Sequence, residues 1–346
     1  MLRPVFLLVI FFVCAPQAVA QAPRRDRLEE RIDRALVFLK TMQEKDGSWQ
    51  GAPFGARAAM TGLSVLAFLS AGHVPGEGPY RATIEKGIRW VLRSQRPNGS
   101  LSNDDQTEMY QHGICTLMLA EVAGMTDPAL SREVKSGLEK AVALMLKAQR
   151  MQPGPHKGGW RYRVEGYDSD MSITGWQVLA LRAAKNLGCD VPAERIDLAV
   201  EYVKRCRDPS SGGFSYMAGG AYLTLACSGV GILCLELAGS DRHHSRDALQ
   251  AGSLLLKSLP QWSERNFFYT IYYGAQATFQ LGNNYWNFYR PHLHKTLFDY
   301  QQTNGSWIHN DGLGPVYASA MAVLALTVEY RFLPIYQRAE EAPEKK

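Results

Sequence analysis

Residues 34–49, RALVFLKTMQEKDGSW, decide the fold, because an amphipathic stretch runs into a tight turn and the same unit returns further along the chain. In the stretch, Ile32, Leu36, Leu39 and Met42 fall at three- and four-residue steps, the spacing of one helix face. In the turn, Asp46 precedes Gly47, a pair suited to a sharp reversal because the side chain caps the local backbone and glycine accepts positive φ. Similar turns recur at Asn98-Gly99-Ser100-Leu101, Gly158-Gly159-Trp160, Gly212-Gly213-Phe214 and Asn304-Gly305-Ser306-Trp307. The wide gap between Gly213 and Gly305 leaves room for two units, with a turn that has lost its glycine expected near Trp262 to Phe268.

Before each turn lies a stretch of this amphipathic kind: Leu28 to Met42, Arg81 to Ser94, Glu133 to Ala148, Arg195 to Arg205, Asp247 to Leu259 and His292 to Tyr300. After each comes one apolar on most sides: Ala58 to Ser70, Gln111 to Val122, Ser172 to Ala184, Leu223 to Leu237, Thr270 to Gln280 and Tyr317 to Tyr330. The first set predicts outer helices and the second buried inner ones. Gly62, Gly113, Gly175, Gly229 and Gly274 recur near the inner starts, where close packing around an axis would require them. The expectation is an all-α protein of six hairpins and twelve helices, closed into an α/α toroid, with an open solenoid as the alternative.

Met1 to Ala20 reads as a secretory signal: Arg3, an apolar run from Val5 to Cys14, then Ala18-Val19-Ala20 before Gln21. The chain is thus expected to be exported, to the periplasm or the medium, with the toroid over residues 21–338 and a disordered charged tail over 339–346. No later stretch is apolar enough to span a membrane. The net charge of +5 is scattered rather than gathered into basic patches, which argues against nucleic acid. Cys115, Cys189, Cys206, Cys227 and Cys234 are odd in number, lie mostly in apolar runs, and are expected as free thiols.

Arg34-Ala35, Phe38-Leu39, Gln43 and Gly47-Ser48-Trp49 match in spacing the QW repeat of squalene/hopene cyclases. Lys86-Gly87, Trp90-Val91, Gln95 and Gly99-Ser100-Leu101 form a second copy; Lys140-Ala141, Leu144-Met145, Gln149 and Gly158-Gly159-Trp160 form a third. A fourth has Cys206 in place of Gln, and the last keeps Gln301-Gln302 and the Asn-Gly-Ser-Trp turn. Nearly the whole mature chain thus resembles the superfamily of terpenoid cyclases and protein prenyltransferase β subunits. The resemblance implies an α/α toroid in which Gln ties a helix end to a turn and the aromatic ring packs on a neighbouring helix.

The resemblance also implies where chemistry would sit. Tyr167-Asp168-Ser169-Asp170-Met171-Ser172 is similar to the Asp-x-Asp-Asp-Thr motif of class II cyclases, with Asp170 matching the acid that protonates an alkene and Asp168 its partner, while Met171 replaces the third Asp. The same residues suit a plain helix cap. His112, at an inner-helix start, is a candidate base or a satisfied structural histidine. Tyr110, Tyr162, Tyr167, Trp176, Tyr222, Tyr273 and Tyr317 are candidate ligand contacts whose ring faces would stabilise a cation, or else simply core. No cofactor or metal is expected, since the Asp-x-Cys segment of a zinc prenyltransferase would fall at Asp168-Ser169-Asp170 and lacks the Cys. Three functions follow: an isoprenoid-binding or isoprenoid-cyclising toroid with Asp170 as acid, a non-catalytic toroid holding an envelope protein or lipid, or a polysaccharide lyase or hydrolase using Asp168 and Asp170 with Tyr162 and Arg161 or Arg163.

Overall fold

The computed structural model describes residues 27–51, 56–220, 222–238 and 244–337. The expected signal segment and charged tail lie outside these residues. Twelve α-helices alternate between two concentric rings among the described residues. The outer ring holds α1 (Arg27–Thr41), α3 (Arg81–Arg93), α5 (Pro128–Ala148), α7 (Ala193–Arg205), α9 (Arg246–Lys257) and α11 (Asn283–Tyr300). The inner ring holds α2 (Arg57–Ser70), α4 (Glu108–Val122), α6 (Met171–Asn186), α8 (Leu225–Ala238), α10 (Phe267–Gln280) and α12 (Gly314–Leu326). Each inner helix packs on the next, and α12 packs on α2, so the ring is closed and the solenoid alternative falls. All but Arg57 of the fourteen residues of α2 are buried, as expected of a helix enclosed on both sides.

The Gln-to-turn motif is the seam between hairpins. Gln43 Nε2 donates to the Gly47 carbonyl at 3.0 Å and to the Thr83 carbonyl at 2.9 Å, tying its own turn to the first turn of the next outer helix. Gln95 joins Gly99 and Gly137 in the same way, and Gln149 joins Gly158 and Arg195. Gln301 joins Gly305 to Arg31 and so ties the last hairpin to the first. Where Cys206 replaces Gln, Arg207 crosses to α9 instead and pairs with Asp247 at 2.8 Å. Trp49, Trp160 and Trp307 are fully buried, and each indole N–H donates to a carbonyl of the preceding outer helix.

Close approach explains the inner glycines. A Cβ on Gly229 would stand 2.9 Å from the Tyr273 backbone carbon, and one on Gly113 would stand 2.4 Å from Gln177 Nε2, so only glycine lets these helices touch. The turn without glycine falls at 258–266 as expected, where Asn266 takes the left-handed conformation at φ 62° and Trp262 stacks on Tyr300. The largest boundary difference is at α11, which begins at Asn283 and runs through Pro291, whereas the sequence reading opened it after the proline; α5 also starts earlier, at Pro128, and α12 spans Gly314–Leu326 rather than Tyr317 to Tyr330. The carbonyl that proline leaves without its helical partner belongs to Asn287, on the solvent-exposed face of the helix. All five described cysteines are free thiols.

This topology sets the two faces apart. The connections that lead from outer to inner helices are long, and that from α5 to α6 spans residues 149–170. Those on the opposite face are short, and there the C-terminal 3₁₀ turn Pro334–Tyr336 closes the ring, with Tyr336 buried and its hydroxyl 2.5 Å from that of Tyr272.

Candidate functional site

At the long-loop face, where the inner helices begin, Tyr110, Tyr162, Tyr216, Tyr222, Tyr269 and Tyr317 line a cavity of about 280 Å³, together with Ser172, Thr224, Ala226, Cys227, Asn266 and Leu313. Five parts of the ring carry the six tyrosines: α4, α10 and α12 supply one each, loop 149–170 supplies Tyr162, and loop 206–224 supplies Tyr216 and Tyr222. The fold therefore gathers residues that are two hundred positions apart. Burial pushes Tyr110, Tyr216, Tyr269 and Tyr317 above the ordinary phenol range, so all four present neutral rings.

Most polar atoms of the wall are already engaged. The hydroxyls of Tyr162 and Tyr216 meet at 3.0 Å, and Arg161 lies over both rings at 5.1 and 5.5 Å from their centroids. Ser172 Oγ donates to Asp170 at 2.6 Å, and Thr224 Oγ1 accepts from the Cys227 amide at 3.0 Å. What remains for an occupant is chiefly ring face and methyl surface. Beneath this layer, Tyr269 packs on Tyr273 and Trp176 stacks on Tyr272, with centroids 5.5 Å apart.

Asp170 stands behind the wall rather than in it. Its side chain has no exposed surface. One carboxylate oxygen caps α6 by accepting the Ile173 amide at 2.9 Å, and the other accepts Arg161 Nη1 at 3.1 Å. Burial pushes its carboxyl up, while the bonds from Ser172, Ile173 and Arg161 oppose the shift. Asp168 pairs with Arg161 Nε at 3.3 Å from the solvent side. The two acids thus clamp one guanidinium that in turn braces Tyr162 and Tyr216.

Several expected contacts are placed elsewhere. Tyr167 is 98% exposed and does not line the cavity, because its loop turns outward around Arg150, whose guanidinium takes the carbonyls of Arg163, Val164 and Asp168. Trp176 and Tyr273 lie under the cavity floor. Tyr222 is at the rim, 80% exposed and held at φ 62°. His112, a candidate base in the sequence reading, is placed as a structural residue: Nδ1 accepts the Leu101 amide at 3.1 Å and Nε2 meets the Ala141 carbonyl at 3.1 Å, so both ring nitrogens are engaged. Thr61, Thr174, Ser228 and Ser319 hold the corresponding place in the other hairpins, accepting the amides of Trp49, Trp160, Phe214 and Trp307. Tyr216 escaped the sequence reading because it sits past a turn glycine in a loop, where no periodicity marks it.

No group of three or more His, Cys, Asp or Glu side chains among the described residues is arranged to hold a metal ion. No described helix is long and apolar enough to cross a membrane.

Comparison with known proteins gives the fold. Neither a scan against protein-family models nor a search of curated proteins produced a match. Among solved structures, a GH76 α-1,6-mannanase of Salegentibacter sp. in complex with α-1,6-mannotriose superposes with a TM-score of 0.68 at 10% identity, covering 88% of this chain and 99% of that one. The type II terpene cyclase MstE from Scytonema gives 0.59 at 16% identity, covering 88% and 98%. A variant of MstE in complex with geranylgeranyl dihydroxybenzoate gives 0.57 at 16% identity, covering 89% and 97%. The chain therefore has the α/α toroid fold, which these glycoside hydrolase and terpene cyclase structures share.

Proposed function

We propose that this toroid is a binding protein that holds the end of an isoprenoid chain in its tyrosine-lined cavity. The observation that carries the reading is the wall itself, in which six tyrosines, Ala226, Cys227 and Leu313 meet and the hydroxyls of Tyr162 and Tyr216 are spent on one another. Apolar occupants gain from such a surface, whereas a polar ring would strand its own groups. The volume of about 280 Å³ lies near the lower limit for small-molecule sites, so a chain end fits and a long chain extends outside. The terpene cyclase neighbour supports an isoprenoid as occupant, because its complex carries a geranylgeranyl substrate in the same kind of ring.

Cyclisation asks for more than binding. An acid that protonates an alkene must touch it, and Asp170 is separated from the cavity by its own cap and by Arg161. Glycoside hydrolysis asks for two carboxylates on opposite sides of the scissile bond, roughly 5–10 Å apart. Asp168 and Asp170 grip the same guanidinium and do not face one another across a cleft.

Radiolabelled geranylgeraniol should bind the purified protein saturably at one site and be recovered unchanged. Ala226→Trp, which fills the cavity from the first turn of α8, should weaken binding by at least about tenfold, equivalent to 1.4 kcal/mol. Absence of saturable binding would overturn the proposal. Cyclised product formed by the native chain but lost in Asp170→Asn would replace it with the cyclase reading.

A further inference from the structure

Beside the tyrosine cavity, on the same face, lies a larger open groove of about 1080 Å³ between the loop before α4, the end of α5 and residues 163–165. The two hollows share one wall. Tyr110 and Tyr162 face the cavity, Glu108 and Val164 face the groove, and between them the Met109 amide donates to the Tyr162 carbonyl at 2.9 Å. The two hollows are thus separated by the width of one backbone pairing.

Glu108 gives the groove its chemistry. It is 8% exposed and makes no hydrogen bond or ion pair among the described residues, although it lines the groove. Of the other acids in the lining, Asp104 caps the turn by accepting the amides of Gln106 and Thr107, each at 2.8 Å, Asp105 pairs with Arg96, and Glu165 is exposed to solvent. Although most of Glu108 is buried, its side chain opens onto the groove, where its two oxygens can accept from a ligand. Lys147 and Arg163 add cationic donors to the same lining. An anionic ligand would meet Glu108, and a cationic one would meet Lys147 and Arg163. Neutral hydroxyl groups satisfy both, since each donates and accepts.

We infer that the natural ligand is an amphiphile, an isoprenoid chain bearing a saccharide head, with the chain end in the tyrosine cavity and the head in the groove against Glu108. The inference rests on the isoprenoid-binding reading above and names the rest of its ligand. The wall from Glu108 to Tyr110 is a single helical turn, so head and chain need no long spacer.

The test compares geranylgeraniol with geranylgeranyl glucoside on the full chain by equilibrium binding. The glucoside should bind at least about tenfold more tightly than the alcohol. Glu108→Gln and, separately, Arg163→Gln should each bring the ratio of the two dissociation constants toward one, with thermal melts verifying that both variants fold. An alcohol that binds as tightly as its glucoside, or a ratio that neither variant moves, overturns this inference and leaves the cavity reading intact. An alcohol that does not bind at all overturns the cavity reading and this inference with it.

Discussion

Trp307→Ala should lower the stability of the toroid by about 3–5 kcal/mol in urea unfolding, with the loss of amide protection concentrated at α1, α11 and α12. Truncating a fully buried indole leaves a cavity and strands the Leu297 carbonyl, which now receives the indole N–H at 2.8 Å. Position matters as much as size. The turn that carries Trp307 lies against α1, with a Cβ on Gly305 falling 2.2 Å from the Arg34 carbonyl and Gln301 donating to the Arg31 carbonyl at 2.9 Å. This is the seam where the chain's last hairpin meets its first. A closed ring gives every hairpin two neighbours; opened at the seam, it becomes a solenoid whose end units fray. Hydrogen exchange should show α6 still protected when α1 and α12 are not. A cost below about 1 kcal/mol, or protection lost evenly around the ring, would contradict this role for the seam.

The ring was legible in the sequence because its parts repeat. Gln43, Gln95, Gln149 and Gln301 make the same pair of bonds at four places, so one physical requirement appears four times in the chain. The cavity was only partly legible, since it is made once. Tyr110, Tyr162, Tyr222 and Tyr317 were found by counting aromatics near inner-helix starts, but the same count admitted Tyr167, which its loop turns outward. Tyr216 carries no such mark, because the bridge between Ser215 and Leu223 that positions it is made within an irregular loop. His112 misled in another way. A histidine among threonines and serines stands out, yet the repeat shows it doing their task, and only the bond to the Leu101 amide reveals this. Glu108 went unremarked, as a glutamate in the first turn of a helix is ordinary by composition. Its interest lies in its burial and the lack of a partner, and neither is written in local sequence.

Stability should depend on pH through two groups that pull in opposite directions. Glu121, on α4, is buried against the C-terminal turn, where it accepts the Ile335 amide at 3.4 Å close to the paired hydroxyls of Tyr272 and Tyr336. Burial pushes its carboxyl up to about 8 from an ordinary value of 4.5. The folded state therefore keeps a proton that the unfolded chain gives up, and stability falls as pH rises from 4.5 through 8, by on the order of 5 kcal/mol in all. Asp170, also pushed up by burial, adds to the same limb. His112 acts in reverse, since burial holds it down at about 4, below its ordinary 6.5. Its contribution is present above 6.5 and is lost as pH falls through 4, on the order of 3 kcal/mol. Between 4.5 and 6.5 the two slopes oppose one another, which leaves a plateau with a fall on the alkaline side up to about 8. Glu121→Gln should remove most of that fall and expose a rise from 4 to 6.5 due to His112. His112→Thr, which installs the residue that Thr61 and Thr174 supply in their own hairpins, should expose the opposite slope, with stability declining from pH 4.5 onward. Urea melts of the native chain and both variants across this range would settle the matter. An alkaline fall that survives Glu121→Gln unchanged would show that the C-terminal turn is not seated on a protonated carboxyl.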